Sequence, residues 1–265
     1  MTKAQGKIRV GIGGWTFEPW RGSFFPDDLV QKRELEYASS KFSSIEVNGT
    51  YYGSQKPATF QSWHDEAPDD FVFALKGPRF ATNRKVLAEA GPSVERFLNS
   101  GITRLGDKLG PLNWQFMATK KFDPEDFAAF LSLLPKEIEG RQLRHAVEVR
   151  HDSFACAEFV DLVRSHEVGI VVSADGDFPQ IADITTDFVY ARILGTVEDE
   201  PLGYPPKALD EWAGRAKVWA AGDVPKGLAT FAKPAKPAPR EVFLYVISGY
   251  KQRNPQAAMG IMERL

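Results

Sequence analysis

The sequence predicts an α/β protein with one (β/α)8 barrel of the TIM type. Short runs with an apolar period of two alternate with longer runs of helical period along the chain. The strand-like runs number eight, and the chain of 265 residues with 43% hydrophobic residues has the length of one such barrel. A doubly wound sheet is the alternative, but it more often carries a glycine-rich fingerprint after its first strand.

The predicted strands share β-branched or aromatic residues at alternating positions. They are residues 8–12, 44–48, 71–76, 110–116, 146–151, 168–173, 188–192 and 242–248. Helical spacing, proline at a first turn or an N-cap residue marks the segments between them. The predicted helices are residues 31–42, 57–67, 92–101, the segment that Asp123 opens, and 154–167, 206–221 and 255–265. The sixth strand has the weakest helical follower.

Three segments are predicted to lie outside regular elements. Residues 15–26 are rich in Trp and Phe, so we expect this loop to pack over one barrel end. Residues 50–52 are expected to form a loop after Gly49. Residues 222–240 are rich in Pro, Ala and Lys, and are predicted to be a mobile insertion within a single domain spanning residues 1–265.

Composition limits the classes of partner. A net charge of −2 argues against broad nucleic-acid binding, which needs a basic face. The single cysteine, Cys156, excludes an internal disulfide and fits a reducing compartment. We found no run of ~18 apolar residues, so no membrane span is predicted. A cytoplasmic monomer is the default expectation.

Polar residues alternate with apolar ones at the ends of several strands. Glu46 and Asn48 take one parity of the second strand, and Ile45 and Val47 take the other. Helices cover the outside of a parallel barrel, so the polar parity is expected to point inward, near the carboxyl end where TIM-barrel sites lie. The same argument applies to Lys76 and Glu148.

The predicted site contains two carboxylates among several cations, an arrangement suited to proton transfer on a polyol or sugar. Its predicted catalytic residues are Glu46, Glu148 and Lys76, and its predicted substrate-binding residues are Trp15, Asn48, Tyr51, Arg79, Gln115, Arg150, Tyr190 and Arg192. The cations outnumber the carboxylates, so the expected ligand is a small anionic molecule. The structural alternative is a satisfied ion-pair layer that fills the barrel.

Neither a metal nor a cofactor is predicted. The four histidines show no paired spacing, and Asp175-Gly176-Asp177 is more typical of a turn than of a metal site. We found no Walker or Gly-x-Gly-x-x-Gly pattern. We also found no Gly-x-Ser-x-Gly motif, and Cys156 falls within a predicted helix, so serine or cysteine nucleophilic catalysis has no support.

Several motifs together resemble the YecE-like family of domains of unknown function. They are Gly13-Gly14-Trp15, Trp20-Arg21-Gly22, Phe25-Pro26, residues 46–52, residues 73–76 with Pro78-Arg79, residues 105–111 with Gln115-Phe116, and Glu148-Val149-Arg150-His151. The resemblance covers nearly the whole chain and implies a TIM-type barrel, but it implies no activity. Asn83 stands where the family often has His, and Ser248 lies where it usually has Asn or Asp. If those side chains carry chemistry, this branch differs in substrate or has lost activity.

Two classes of function follow from these observations. The first is an enzyme performing acid–base chemistry on a small anionic or sugar-like substrate. The second is a non-catalytic module that binds a nucleotide or single-stranded nucleic acid through Lys76, Arg79, Arg84 and aromatic rings. Strong salt dependence of binding would favour the second class, and turnover of a neutral sugar would oppose it.

Overall fold

Eight parallel strands close into a barrel, which confirms the predicted (β/α)8 fold. The computed structural model describes residues 5–265. The barrel strands are β1 (Ile8–Gly13), β2 (Ser44–Val47), β3 (Val72–Lys76), β4 (Leu109–Gln115), β7 (His145–Glu148), β8 (Gly169–Ala174), β9 (Phe188–Ile193) and β10 (Glu241–Val246). The short strands β5 (Glu137–Ile138) and β6 (Arg141–Gln142) form a separate hairpin. Pairing of β1 with both β2 and β10 closes the ring.

Helices connect most of the barrel strands. They are α1 (Glu34–Lys41), α2 (Gly49–Tyr52), α3 (Pro57–Glu66), α4 (Arg79–Thr82), α5 (Gly91–Leu98), α6 (Pro124–Ser132), α7 (Ala157–Ser165), α8 (Pro206–Ala220) and α9 (Asn254–Met262). Within the described residues, no helix lies between β8 and β9, which is the connection with the weakest helical signal in the sequence. No helix of residues 5–265 is long and apolar enough to cross a bilayer.

Two local predictions were wrong. Residues 50–52 are not a loop but belong to the single turn of α2, which Gly49 begins. Cys156 is not inside a helix but is the N-cap residue of α7, and it is only half-buried. The second error concerns a helix boundary, which is uncertain by one or two residues, whereas the first missed a helix of a single turn.

The predicted strand parity is confirmed in the packing. Ile45, Val47, Phe73 and Leu75 belong to the hydrophobic core between the strands and the helices. The opposite parity of β3 contributes to a second, smaller cluster inside the barrel. The inward-facing polar side chains therefore point towards the barrel axis.

The barrel interior is filled in three levels. At the amino-terminal end, Glu241 pairs with both Arg9 and Arg144. The middle level is mainly apolar and aromatic, and includes a hydrogen bond of 2.7 Å between the hydroxyls of Ser44 and Tyr245. The carboxyl-terminal level is again charged, and the candidate site lies there.

Two loops pack against the barrel. In the aromatic loop 15–26, Trp20 and Phe25 are buried, and Trp20 Nε1 donates to the carbonyl of Lys251 at 2.9 Å. In the segment 222–240, the amides of Phe231 and Ala232 donate to Asp183 at 2.8 and 3.0 Å. The mobility of residues 222–240 stays a prediction.

Candidate functional site

Arg192 forms the centre of the charged level. Its side chain rises from β9 and lies between the carboxylates of Glu46 on β2 and Glu148 on β7, and all three residues are at most 2% exposed. Nη1 donates to Glu148 Oε2 at 2.6 Å, and Nη2 donates to Glu46 Oε1 at 3.1 Å. Nε lies 3.0 Å from Glu46 Oε2 without hydrogen-bond alignment, so we treat that contact as ionic only.

Glu148 is held by four donors. Arg150 Nε and Nη2 donate to Oε1 at 2.9 and 2.7 Å, while Arg192 and Asn113 donate to Oε2. Burial alone would raise the pKa of Glu148, but Arg192, Arg150 and Lys76 outweigh it and lower the pKa to about 2. Glu148 is therefore a permanent anion at neutral pH.

Glu46 receives its hydrogen bonds from the barrel wall. The hydroxyl of Tyr190 donates to Oε2 at 2.6 Å, and Asn113 Nδ2 approaches the same oxygen at 3.4 Å. Burial and the negative charge of Glu46 raise the pKa of Tyr190 well above its ordinary value, so the phenol stays protonated. Asn113 bridges the two carboxylates, because its amide also reaches Glu148 at 3.2 Å.

Lys76 lies beside this cluster without a carboxylate within salt-bridge distance among residues 5–265. Its ammonium donates to Gln115 Oε1 and lies 4.6 Å from the ring centroid of Tyr51. Burial lowers the pKa of Lys76, the nearby charge of Arg192 adds to the effect, and the result is about 8. Gln115 Oε1 also accepts from Arg150 Nη2 at 2.9 Å, so two cations share one neutral acceptor.

A cavity of about 560 Å³ opens above the cluster at the carboxyl ends of the strands. Its lining includes aromatic rings, backbone glycines and four cationic side chains, but no Asp or Glu among the described residues. The residues that line it are Gly13, Gly14, Trp15, Thr16, Val47, Asn48, Gly49, Tyr52, Gln55, Trp63, Lys76, Gln115, Arg150, Arg192, Ile247 and Lys251.

The predicted site residues fall into three groups. The cavity wall contains six of them: Trp15, Asn48, Lys76, Gln115, Arg150 and Arg192. Glu46, Glu148 and Tyr190 lie beneath the wall, and Tyr51 is buried against Lys76. Arg79 does not line this cavity, but lies 5.7 Å from the ring centroid of Tyr52 at its edge. The catalytic and binding roles of all these residues stay predictions.

Sequence reasoning left several cavity or cluster residues out. Asn113 has the inward parity of Gln115 on β4, so the strand pattern contained the signal for it. Lys251, Trp63 and Gln55 come from loops or helices, whose approach to the barrel axis no strand period reveals. Lys251 lies over the rings of Phe17 and Trp20, at 4.2 and 5.6 Å.

The two positions that depart from the family pattern both lie off the cavity wall. Asn83 follows α4 and lines a separate surface depression with Arg79, Phe80 and Arg84. Ser248 is exposed, and its carbonyl accepts from the Thr196 hydroxyl at 2.7 Å. Within residues 5–265, no group of three His, Cys, Asp or Glu side chains is arranged to hold a metal ion.

Comparison with known proteins adds the family. A DUF72 family protein from Thermotoga maritima MSB8 is 23% identical, with a TM-score of 0.73 and coverage of 97% of this chain and 98% of that one. A DUF72 family protein from Enterococcus faecalis V583 is 15% identical, with a TM-score of 0.71 and 98% of both chains covered. At these identities the structural likeness shows the barrel fold alone.

A more distant structure also contains a TIM barrel. A fusion of a xylose isomerase-like TIM barrel with 4-hydroxyphenylpyruvate dioxygenase is 14% identical, with a TM-score of 0.51, and 96% of this chain covers 41% of that one. No curated protein matches the chain. The family profile described as "Protein of unknown function DUF72" matches residues 9–265. The YecE-like motifs and this match agree, and the chain therefore belongs to the DUF72 family.

Proposed function

We propose that this protein is an enzyme that binds a small anionic, sugar-like substrate in the barrel mouth and moves a proton through Lys76. The observation that carries the proposal is the charge of the cavity wall. Lys76, Arg150, Arg192 and Lys251 line it, and no carboxylate among the described residues does. Such a wall attracts an anion and repels a cation.

Two of these cations have donors left for a ligand. The Nε and Nη2 atoms of Arg150 are engaged by Glu148 and Gln115, while Nη1 makes no hydrogen bond within residues 5–265. Lys251 Nζ makes no hydrogen bond or salt bridge there, and lies 4.2 and 5.6 Å from the ring centroids of Phe17 and Trp20. A phosphate or carboxylate between Arg150 and Lys251 would gain charge-assisted hydrogen bonds that the protein leaves unmade.

Aromatic side chains favour a substrate with an apolar ring face. Trp15 packs edge-on against Trp63 with ring centroids 5.2 Å apart, and both line the cavity with Tyr52. Sugars present C–H faces that stack on such rings while their hydroxyls bond to polar groups. Asn48 and Gln55 are two of the polar side chains in the same wall.

Lys76 is the side chain in the wall that suits proton transfer near neutral pH. A pKa of about 8 leaves both protonation states populated there, which is what a general acid or base requires. Glu46 and Glu148 lie on either side of Arg192, beneath the cavity wall, and hold the cations in place. We propose this positioning role for them in place of direct proton transfer.

Thermal unfolding with added anions tests the proposal. Phosphate and glucose 6-phosphate are expected to raise the melting temperature more than sodium chloride of equal ionic strength, because they bind the folded state. The variant Lys251→Met should lose most of that increase, because it removes one cation from the cavity wall. Lys251 is not bonded to the buried carboxylates, so the substitution leaves their ion pairs in place. Lys121→Met, which removes an exposed lysine, should keep the increase. No stabilisation of the wild type by either phosphate at millimolar concentration would count against the site.

A second candidate, binding of single-stranded nucleic acid, is favoured by one exposed cluster. Tyr52 and Phe80 are 64% and 62% exposed, and the Arg79 guanidinium lies 5.7 and 5.6 Å from their ring centroids. Exposed rings beside an arginine are the elements that stack on bases. Fluorescence anisotropy with a labelled oligothymidylate distinguishes the two candidates. If this cluster binds single-stranded nucleic acid, the binding should weaken with added salt and in the variant Tyr52→Ala.

A further inference from the structure

We propose that Lys76 is a nucleophilic amine, which forms an imine with an aldehyde or ketone that carries an anionic group. This inference rests on the proposed function, because it names the substrate class that the same cavity would accept. It differs in the bond that is made. Proton transfer leaves the residue unattached to the substrate, whereas imine formation joins Lys76 to it covalently.

The surroundings of Lys76 are those of an amine rather than of a structural ammonium ion. Its single polar partner within residues 5–265 is Gln115 Oε1, a neutral oxygen that Arg150 Nη2 also uses at 2.9 Å. The aromatic face of Tyr51 lies 4.6 Å away and excludes water on one side. Burial and a neighbouring cation are the two conditions that activate lysine as a nucleophile.

Lys108 shows what a structural lysine looks like in the same protein. It is as buried as Lys76, at 5% exposed, but its ammonium donates to the carbonyls of His64 and Ala67 at 2.6 and 2.7 Å. Lys108 is also absent from the cavity wall, which Lys76 lines. The two side chains therefore form a matched pair, one bonded to two backbone carbonyls and one on the cavity wall.

The charge balance of the cavity explains why the free amine is accessible. Arg192 and Arg150 already neutralise the carboxylates of Glu46 and Glu148, so a charged Lys76 adds an uncompensated cation. Burial and these cations lower the pKa of Lys76 to about 8. About half of the Lys76 amines are then neutral at mildly alkaline pH, whereas an exposed lysine is almost entirely protonated.

The chemical step balances without any cofactor. The nitrogen lone pair attacks the carbonyl carbon, an N–C bond forms, and one amine proton passes to the carbonyl oxygen to give a carbinolamine. Loss of the remaining N–H proton and of the hydroxyl as water then leaves the C=N bond. The cavity is open to solvent, so water carries both protons.

The substrate class follows from the neighbouring donors. Arg150 Nη1 and Lys251 Nζ are free to hold a carboxylate or phosphate on the molecule whose carbonyl meets Lys76. A 2-oxo acid or a phosphorylated aldose or ketose in its open-chain form has both groups. A neutral aldehyde lacks the anchor and should react less selectively.

Reductive trapping tests the inference. The wild-type protein is incubated with glyoxylate and sodium cyanoborohydride, whose hydride reduces the imine carbon to a stable secondary amine, and adducts are located by peptide mass spectrometry. We expect one dominant adduct on Lys76, forming about tenfold or more faster than on exposed lysines because more of this amine is neutral. Its rate should rise with pH around a midpoint near the pKa of about 8.

Matched controls come from the chain itself. Lys108 should remain unmodified in the same sample, and Lys76→Arg, which keeps the charge, should abolish the dominant adduct. In Lys251→Met, higher glyoxylate concentrations should be needed for the same rate. An adduct rate at Lys76 no greater than that of exposed lysines would overturn the inference.

A parallel measurement separates this inference from the proposed function. Glycolate has the same carboxylate as glyoxylate but no carbonyl, so it reports anion binding alone through competition and thermal shift. If glycolate and phosphate bind and no Lys76 adduct forms, the anion site stands and the nucleophile is rejected. If neither anion binds and no adduct forms, both proposals fail.

Discussion

At the scale of single residues, the charged level combines groups that stabilise the fold with one group that costs stability. Glu148 is surrounded by Arg150, Arg192 and Asn113, so removing its charge leaves Arg150 without a carboxylate partner and Arg192 with Glu46 alone. Lys76 has the opposite relation to its surroundings, because its charge is buried beside other cations. The two residues therefore give opposite predictions.

The variant Glu148→Gln is expected to lower the free energy of unfolding by ~3 kcal/mol or more, because Arg192 and Arg150 lose their shared anion. Its melting temperature should fall by several degrees, on the order expected for a chain of this size. Glu167→Gln is the control, since Glu167 pairs with Lys136 on the surface and its loss should change little. If the melting curve of Glu148→Gln coincides with that of wild type, Glu148 does not stabilise the fold, and a role in ligand binding is favoured instead.

The stability contribution of Glu148 also has a pH window. Its folded pKa of about 2 lies below the ordinary value of 4.5, so the contribution is present above the ordinary value and is lost as pH falls towards 2. Wild type and Glu148→Gln should therefore converge in stability under acid conditions. Urea unfolding of both proteins across this interval measures the convergence, and a constant difference would contradict it.

Lys76 predicts a pH dependence of the other kind. Between its folded pKa of about 8 and its ordinary value of 10.5, the unfolded chain keeps a proton that the folded protein has released. The free energy of unfolding of wild type should therefore rise with pH across this window relative to Lys76→Met, by about 3 kcal/mol at most. Denaturant unfolding of both proteins measures the difference in the free energy of unfolding. If that difference does not change with pH, the pKa of Lys76 is not lowered in the folded protein.

At the scale of elements, the connection between β8 and β9 is held by side chains rather than by a helix. Asp183, which is 5% exposed, accepts the amides of Phe231 and Ala232 and so ties the segment 222–240 to this connection. At the far end of the segment, Arg240 donates to the carbonyls of Gly222, Ala238 and Lys236. The segment is also attached through the carbonyls of Ala229 and Lys233, which accept from Ala182 N at 2.8 Å and from Arg164 Nη2 at 3.1 Å.

The variant Asp183→Ala should loosen the segment 222–240, because two backbone amides lose their acceptor. Limited trypsin digestion is expected to cut faster at Lys226 than in wild type, whereas Lys233 and Lys236 each precede a proline, which blocks trypsin cleavage. Asp199→Ala changes an exposed loop aspartate and should leave the digestion rate unaltered. Equal cleavage of all three proteins would mean that the hydrogen bonds to Asp183 do not restrain the segment.

At the scale of the whole molecule, closure of the barrel depends on close contact between β1 and its neighbours. Gly11 pairs with Ser44 of β2, and a Cβ atom on Gly11 would lie 1.8 Å from the Ser44 carbonyl oxygen. That atom is part of the backbone, so it cannot move without disturbing the strand pairing. The glycine is therefore needed for the approach of two strands, and not for an unusual backbone angle.

The variant Gly11→Ala is expected to destabilise the protein by ~1–3 kcal/mol or more, the range for steric insertion into a well-packed core. Gly214→Ala is the matched control, because Gly214 is exposed within α8 and a Cβ there meets nothing within 4 Å. It should stabilise the protein by roughly 0.5–1 kcal/mol through helix propensity. Denaturant unfolding of the two variants measures the contrast, and equal stabilities would argue against the close approach.

The sequence by itself determined the barrel, the inward parity of Glu46, Lys76 and Glu148, and the family. These depend on a period of two repeated along the chain, and strand parity is a local property that propensity and patterning record. Because parallel strands in a barrel end on the same side, the local pattern also predicted a shared polar level. Asn113 was visible in the same pattern and was missed.

The tertiary structure alone decided how the charges are shared. It placed Arg192 between Glu46 and Glu148, left Lys76 without a carboxylate partner, and brought Lys251 to the cavity wall. It also placed Arg79 off that wall. Pairing depends on distances between side chains from strands far apart in the chain, and on the lengths and rotamers of those side chains. The sequence pattern indicates which residues face inward, but not which of those residues contact one another.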